Sequence, residues 1–173
     1  MAKQPTAKVS VTALGQVRIF SPLTEEELAV LAENCSWSRH EAASEVLAQN
    51  APCDEVYFIC SGRVSAKTFS DAGKEITFAE LVQGDVFGEL SALDGQPRSS
   101  FVVTLEESLL AALPAHVFNE FLDSHPKVMR ALMVELTGRL RRADEKVFEF
   151  STLNTSNRIH AELLRLASMH PAQ

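Results

Sequence analysis

The sequence predicts a mainly β fold with helices, of the α+β kind: a roll or sandwich of short antiparallel strands, closed by helices and followed by one long helix. Three observations predict it. Between Val46 and Leu113 apolar residues fall in short β-rich runs broken by turn residues. From Pro126 the period turns helical, and no proline interrupts it until Pro171. The chain has 173 residues, enough for one compact core and an appendage but not for two full-sized domains.

Residues 1–16 have mixed polarity and no sustained period, so an N-terminal loose arm is expected there, with the roll domain over 17–125. Thr24 followed by Glu27 is a capping box, and Leu23 and Leu28 occupy the two staple positions around it. A helix from Glu25 to about Asn34 should follow, with Leu28, Leu31 and Ala32 on one face. The strand runs are Glu45–Ala48, Val56–Cys60, Val64–Phe69, Ile76–Leu81, Phe101–Thr104 and Leu109–Leu113. Ser61-Gly62 and Asp71-Ala72-Gly73 supply hairpin turns, and Gln83-Gly84 and Asp94-Gly95 mark further ones. The single Trp37 is expected as a core or rim aromatic near the start of the roll.

Pro114 introduces a short helix carrying Val117, Phe118, Phe121 and Leu122 on one side and ending near residues 123–125. Pro126 suits the first turn of the next helix, where its missing amide costs nothing. That helix, 126–153, would be roughly 42 Å long at 1.5 Å per residue. Along it Met129, Met133, Leu136, Leu140, Ala143, Val147 and Phe150 step by alternating fours and threes, the seam of a coiled coil. Such a stripe either lies on its own domain or pairs with a second chain. Length and strict 3.5 spacing favour a parallel homodimer, with Met129, Met133, Leu136, Leu140, Val147 and Phe150 in its interface. Asn154-Thr155-Ser156 then offers capping side chains for a last helix, Asn157 to about Met169, within a C-terminal segment 154–173.

Composition narrows the function classes. Apolar residues make up 46% and charged residues 23%, a balance that excludes wholesale disorder. No stretch approaches the roughly 18 apolar residues of a membrane helix, and the first residues lack a secretory core, so a cytoplasmic protein without membrane contact is expected. Cys35, Cys53 and Cys60 lack paired metal-site spacing, which favours buried thiols. Eight Lys/Arg against five Asp/Glu between Lys127 and Arg165 give +3, leaving −10 on the rest of a chain of net −7. Any basic function therefore belongs to the C-terminal third. The five histidines are scattered without metal spacing, and neither a nucleophile elbow, a Walker loop nor HExxH occurs, so neither a metal nor an enzyme activity is expected.

The most informative stretch runs from Gly84 to Ser100, GDVFGELSALDGQPRSS. Gly84 and Gly88 let the backbone turn and approach a ligand, and a helical turn after Gly88 would point free amides at an anion. Arg98 supplies a planar fork for two phosphate oxygens, and Ser99 adds a hydroxyl and an amide. Glu89 suits a sugar hydroxyl rather than a phosphate. A loop with a Glu89–Arg98 surface ion pair is the plainer reading of the spacing alone.

The order of these parts resembles the cyclic-nucleotide-binding domain, and specifically the bacterial Crp/Fnr family of transcription regulators. Phe87-Gly88-Glu89-Leu90 through Pro97-Arg98-Ser99-Ser100 is similar to that family's phosphate-binding cassette. The likeness continues in Arg139-Leu140, Glu145-Lys146-Val147 and Asn157-Arg158-Ile159. It implies a double-stranded β-helix, or jelly roll, a long dimerisation helix, and cAMP or cGMP as allosteric ligand. By the resemblance Glu89 would bind the ribose 2′-hydroxyl and Arg98 and Ser99 the cyclic phosphate, with Gly88, Leu90 and Ser100 around them. Where the family's cAMP-activated member has Thr-Ser against adenine, this chain has Ala143-Asp144, and Asp144 offers an acceptor to guanine. The expected ligand is cAMP, the family's commoner one, with cGMP as the alternative. A winged helix-turn-helix should follow the long helix, yet only its first helix falls within the sequence. Truncation is favoured over a natural sensor without a reader, so DNA contact is expected through a C-terminal domain not present in this chain. The other class that fits is a dimeric protein-interaction module with a vestigial pocket.

Overall fold

The computed structural model describes residues 7–52, 54–70 and 73–152; the side chains of residues 7–9, 149 and 150 are outside that description. By its internal contacts the chain divides after Ala131 into two units.

Helix α1 spans Ala7–Leu14, where a loose arm is expected. Leu14 is fully buried and Ser10 nearly so, and Gly15 lies against the Leu28 side chain. Eight residues are too few to display a period, so the anchoring of Leu14 is invisible until α2 is in place. A 3₁₀ turn, Arg18–Phe20, buries Ile19 and Phe20 and leads to α2, Glu25–Asn34. The capping box is present: Thr24 Oγ1 accepts from the Glu27 amide at 3.2 Å and Glu27 Oε2 accepts from the Thr24 amide at 2.8 Å. As expected, Leu28, Leu31 and Ala32 are its buried face.

Eight strands follow: β1 Ser36–His40, β2 Glu45–Leu47, β3 Glu55–Ser61, β4 Arg63–Phe69, β5 Glu75–Val82, β6 Val86–Phe87, β7 Phe101–Thr104 and β8 Ser108–Pro114. They form two four-stranded antiparallel sheets, ordered β1-β8-β3-β6 and β2-β7-β4-β5, the two layers of a jelly roll. The core between them takes Ile59, Phe87 and Leu110 from the first sheet and Leu47, Val64, Leu81 and Val102 from the second. Alternation sends the residue before Ile59 in β3 the other way. Phe58 packs at 4.8 Å from Phe20 and 6.1 Å from Phe118 on the helical side. Each fully buried Phe of this layer contributes about 1.5–3 kcal/mol.

Two strands lie outside the expected runs. In β1 the sequence Ser-Trp-Ser-Arg-His is polar because the strand is an edge, paired only with β8; Trp37 is half-buried there and donates to the Ala32 carbonyl at 3.4 Å. The other, β6, has two residues, too short for any period. Cys35 and Cys60 are buried thiols, as expected, and burial pushes both up to about 12.

Strand β8 passes into α4, Ala115–Ser124, without a loop: Pro114 ends the strand and caps the helix. Phe118 and Leu122 are the buried face of α4. Helix α5 runs Pro126–Thr152, 27 residues and about 40 Å. The expected helix from Asn157, the segment 154–173, Cys53 and the Asp71-Ala72 turn lie outside the described residues.

Candidate functional site

The cassette begins where the chain crosses from β5 of the second sheet to β6 of the first. Gly84 donates to the Ile59 carbonyl at 2.8 Å and Ile59 to the Asp85 carbonyl at 3.0 Å, which fastens the turn to β3. Asp85 is buried; its carboxylate accepts from the Val82 amide at 2.7 Å and pairs with Arg18. After β6, Gly88 adopts φ 78°, ψ 0° and caps a six-residue helix α3, Glu89–Asp94, whose first amides have no acceptor within the helix. Gly95, at φ 70°, ends it.

Arg98 comes back to the start of that helix. Its Nη1 donates to the Gly88 carbonyl at 2.7 Å and its Nη2 to the Glu55 carbonyl at 2.5 Å. Its backbone is pinned as well, the amide donating to Ala51 at 3.1 Å and the carbonyl accepting from Asn50 at 3.0 Å. Arg98 is only 3% exposed and Glu89 only 2%, so the plainer reading of a surface ion pair is overturned. Among the described residues, Arg98 Nε is buried without a hydrogen-bond partner. Leaving a donor of a buried charged group unanswered costs about 1–3 kcal/mol or more, so a folded protein keeps such a group where something else is meant to answer it.

Glu55 and Tyr57 are the residues that sequence reasoning misses. Tyr57 lies opposite Phe87 in the β3–β6 pair, and the rings stack at 5.1 Å and 9°. Its hydroxyl donates to Glu55 Oε2 at 2.8 Å, and burial together with that carboxylate raises the phenol above its ordinary range. Of the two carbonyls that grip Arg98, that of Glu55 lies in β3 and that of Gly88 directly follows β6, and one aromatic stack locks those two paired strands. A backbone acceptor leaves no side-chain signature; the signal that was available is the pair of aromatics, Tyr57 and Phe87, which face each other across the long-range β3–β6 pairing.

The other expected residues are dispersed. Ser100 is buried, while Ser99 and Leu90 are exposed. Ala143 and Asp144 sit on exposed turns of α5 in the second unit. On the seam, Met133, Leu140 and Val147 are each more than 60% exposed, Met129 and Leu136 are half-buried, and Phe150 lies outside the described side chains. Val134 and Phe148, equally exposed, widen the stripe by one residue on one side. An open cleft of about 730 Å³, lined by Asp54, Ser91, Ala92, Gln96, His116 and Asn119 among others, borders α3 without touching Glu89 or Arg98. No group of three or more metal-ligating side chains and no helix long and apolar enough to cross a membrane occurs among the described residues.

Comparison with known proteins agrees with this geometry. The cAMP-activated global transcriptional regulator CRP of Escherichia coli is 28% identical over 152 residues, covering 87% of this chain and 72% of that protein. The catabolite activator protein of Thermus thermophilus superposes with a TM-score of 0.68 at 28% identity, over 78% of this chain and 63% of its own. The c-di-GMP-responsive regulator CLP of Xanthomonas campestris shares the fold, with a TM-score of 0.74 at 20% identity over 81% of this chain and 70% of its own. A family model described as the cyclic nucleotide-binding domain matches residues 38–125, from β1 through the cassette to the end of α4. That span is just over half of the chain and contains the Arg98 grip entire, and the chain therefore belongs to the cyclic nucleotide-binding family, in the manner of the Crp-type regulators.

Proposed function

We propose that this chain is the ligand-sensing part of a Crp/Fnr-type transcription regulator, and that its ligand is a cyclic nucleotide, cAMP in preference to cGMP. The observation that carries the reading is the buried guanidinium of Arg98 with Nε unanswered. A cyclic phosphate is a compact anion able to take that nitrogen together with one of its neighbours, the fork geometry in which arginine binds most strongly. Glu89 takes the ribose 2′-hydroxyl, and the amides of Gly88 and Leu90 and the group at Ser99 and Ser100 complete the cradle. The preference for cAMP is supported by the Escherichia coli relative, a cAMP-activated regulator. Pairing of two chains along the α5 stripe would make the sensor a homodimer. Ligand binding would bias that dimer between states through differential affinity and so control DNA binding by a C-terminal domain. The reading is of a switch and not of an enzyme.

Calorimetry and thermal melts with cAMP, with cGMP and with neither test it, since a ligand that binds only the folded state raises the midpoint. Truncating one partner of a buried charge pair costs about 2–5 kcal/mol, so Arg98→Ala should weaken binding roughly 30-fold to several thousand-fold. Unchanged affinity in that variant overturns the site. No shift with either nucleotide at millimolar concentration would leave the dimeric interaction module instead.

A further inference from the structure

Cassette helix α3 and helix α4 are joined by one side chain. Asn119 Nδ2, on α4, donates to the Ala92 carbonyl at 2.8 Å across 27 residues of sequence. Ala92 belongs to the last turn of α3, whose carbonyls run out of partners within the helix. The Gly95 amide closes on Ser91 at 3.0 Å, and the Gln96 amide, next in line for Ala92, is taken by Asp94 Oδ1 at 2.9 Å. The acceptor at Ala92 is therefore left for α4 to answer.

Both ends of α4 are fastened too. At its start the Ala115 amide donates to the Asp54 carbonyl at 3.0 Å, one residue before the Glu55 carbonyl that grips Arg98. At its end the chain bends into α5 with no slack: His125 donates to Leu122 at 3.2 Å, and Val128 and Met129 donate back to His125 at 2.9 and 3.1 Å. His125 stacks on Phe121 at 4.1 Å and its Nδ1 lies 2.9 Å from both Ser124 Oγ and the Phe121 carbonyl.

We infer that Asn119 is a positioning residue: it ties the cassette helix to the α4–α5 elbow, so that what happens at the phosphate site is felt at residues 119–131. The inference rests on the nucleotide reading above and names the residue through which that site is regulated. Ala92 and Asn119 both line the open cleft, so water can reach the carbonyl when the amide is removed, and the variant is expected to fold.

Hydrogen exchange on the full chain tests this with Asn119→Asp, which keeps the size and removes the donor, and with His116→Ala as a control from the same cleft. Without nucleotide, Asn119→Asp should speed exchange in residues 89–95 and 119–131 together, by roughly tenfold for the loss of one hydrogen bond; acceleration in α4 alone overturns the inference. With cAMP the wild type should gain protection in both segments. Asn119→Asp should keep affinity within about fivefold and protection at 88–100, and lose the response at 119–131. A full elbow response in that variant also overturns it. If the wild type binds neither nucleotide, it is the proposed function that fails, and the unliganded comparison still decides the role of Asn119. His116→Ala should behave as wild type in every arm.

Discussion

Arg98 occupies the space that a side chain at Gly88 would need. The Nη1 that donates to the Gly88 carbonyl at 2.7 Å stands 2.7 Å from where a Cβ on residue 88 would fall. Backbone and guanidinium are thus fitted to each other, and Gly88 is required twice, for its φ of 78° and for the room it leaves.

Gly88→Ala should therefore push Arg98 off its two carbonyls. Strain of about 1–3 kcal/mol at a left-handed residue lowers the melting midpoint by about 2–12 °C in a chain this size. Nucleotide affinity should fall by about tenfold or more. Gly95→Asn is the matched control: its φ is also positive, but nothing lies within 4 Å of a Cβ there, and asparagine tolerates that backbone. Calorimetry on both variants decides, and equal affinities would show that Arg98 does not depend on the space at 88.

Tyr57→Phe keeps the stack on Phe87 and removes the hydroxyl bound to Glu55. Loss of one part-buried hydrogen bond costs about 1 kcal/mol, or about 2–4 °C in the melt. Because Glu55 loses the shorter of its two side-chain hydrogen bonds, keeping that from Ser36 at 3.5 Å, while its carbonyl still holds Arg98, affinity should fall as well, by roughly two- to fivefold. A stability change with no change in affinity would separate Tyr57 from the site.

Leu140→Glu tests the seam on α5. Leu140 is 62% exposed among Met133, Val147 and Phe148, which are exposed to the same degree. A carboxylate at that level of a paired helix faces its own copy, so the dimer should dissociate by about tenfold or more as read by light scattering. A protein that is monomeric from the start refutes the pairing.

Acid should reveal the capping box. The Thr24 amide, more than any other group, holds the Glu27 carboxyl below its ordinary value of 4.5. A lowered carboxyl stabilises the folded state above its unfolded pKa and stops doing so as pH falls through the folded value. Wild type should thus melt above Glu27→Gln at pH 6, with the gap closing below about pH 4.5. A gap independent of pH would assign the effect to packing.

Legibility in the sequence follows the kind of interaction. Helix α2 is legible to the residue because Thr24 and Glu27 reciprocate through side chains. The place of the cassette is legible too, inside the span the family model matches, and the structure buries Glu89 and Arg98 there. What holds Arg98, however, is backbone: the carbonyls of Gly88 and Glu55 and the turn at Asn50–Ala51. No residue type announces a carbonyl. Strand β1 hides for a different reason, since an edge beside β8 alternates weakly and carries Ser, Arg and His. On α5 strict heptad spacing passes over Val134 and Phe148, which are as exposed as Met133, Leu140 and Val147.

The seamless passage from β8 into α4 has a bearing on anyone wishing to graft this module onto another effector. Strand β8 lies between β1 and β3, and its last residue is already the cap of the helix. Inserted peptide at 114–115 would tear the sheet and unseat Asp54 in the same stroke. The hairpin tip at Gly73, which faces open space, is where a reporter domain can be spliced without the interior noticing.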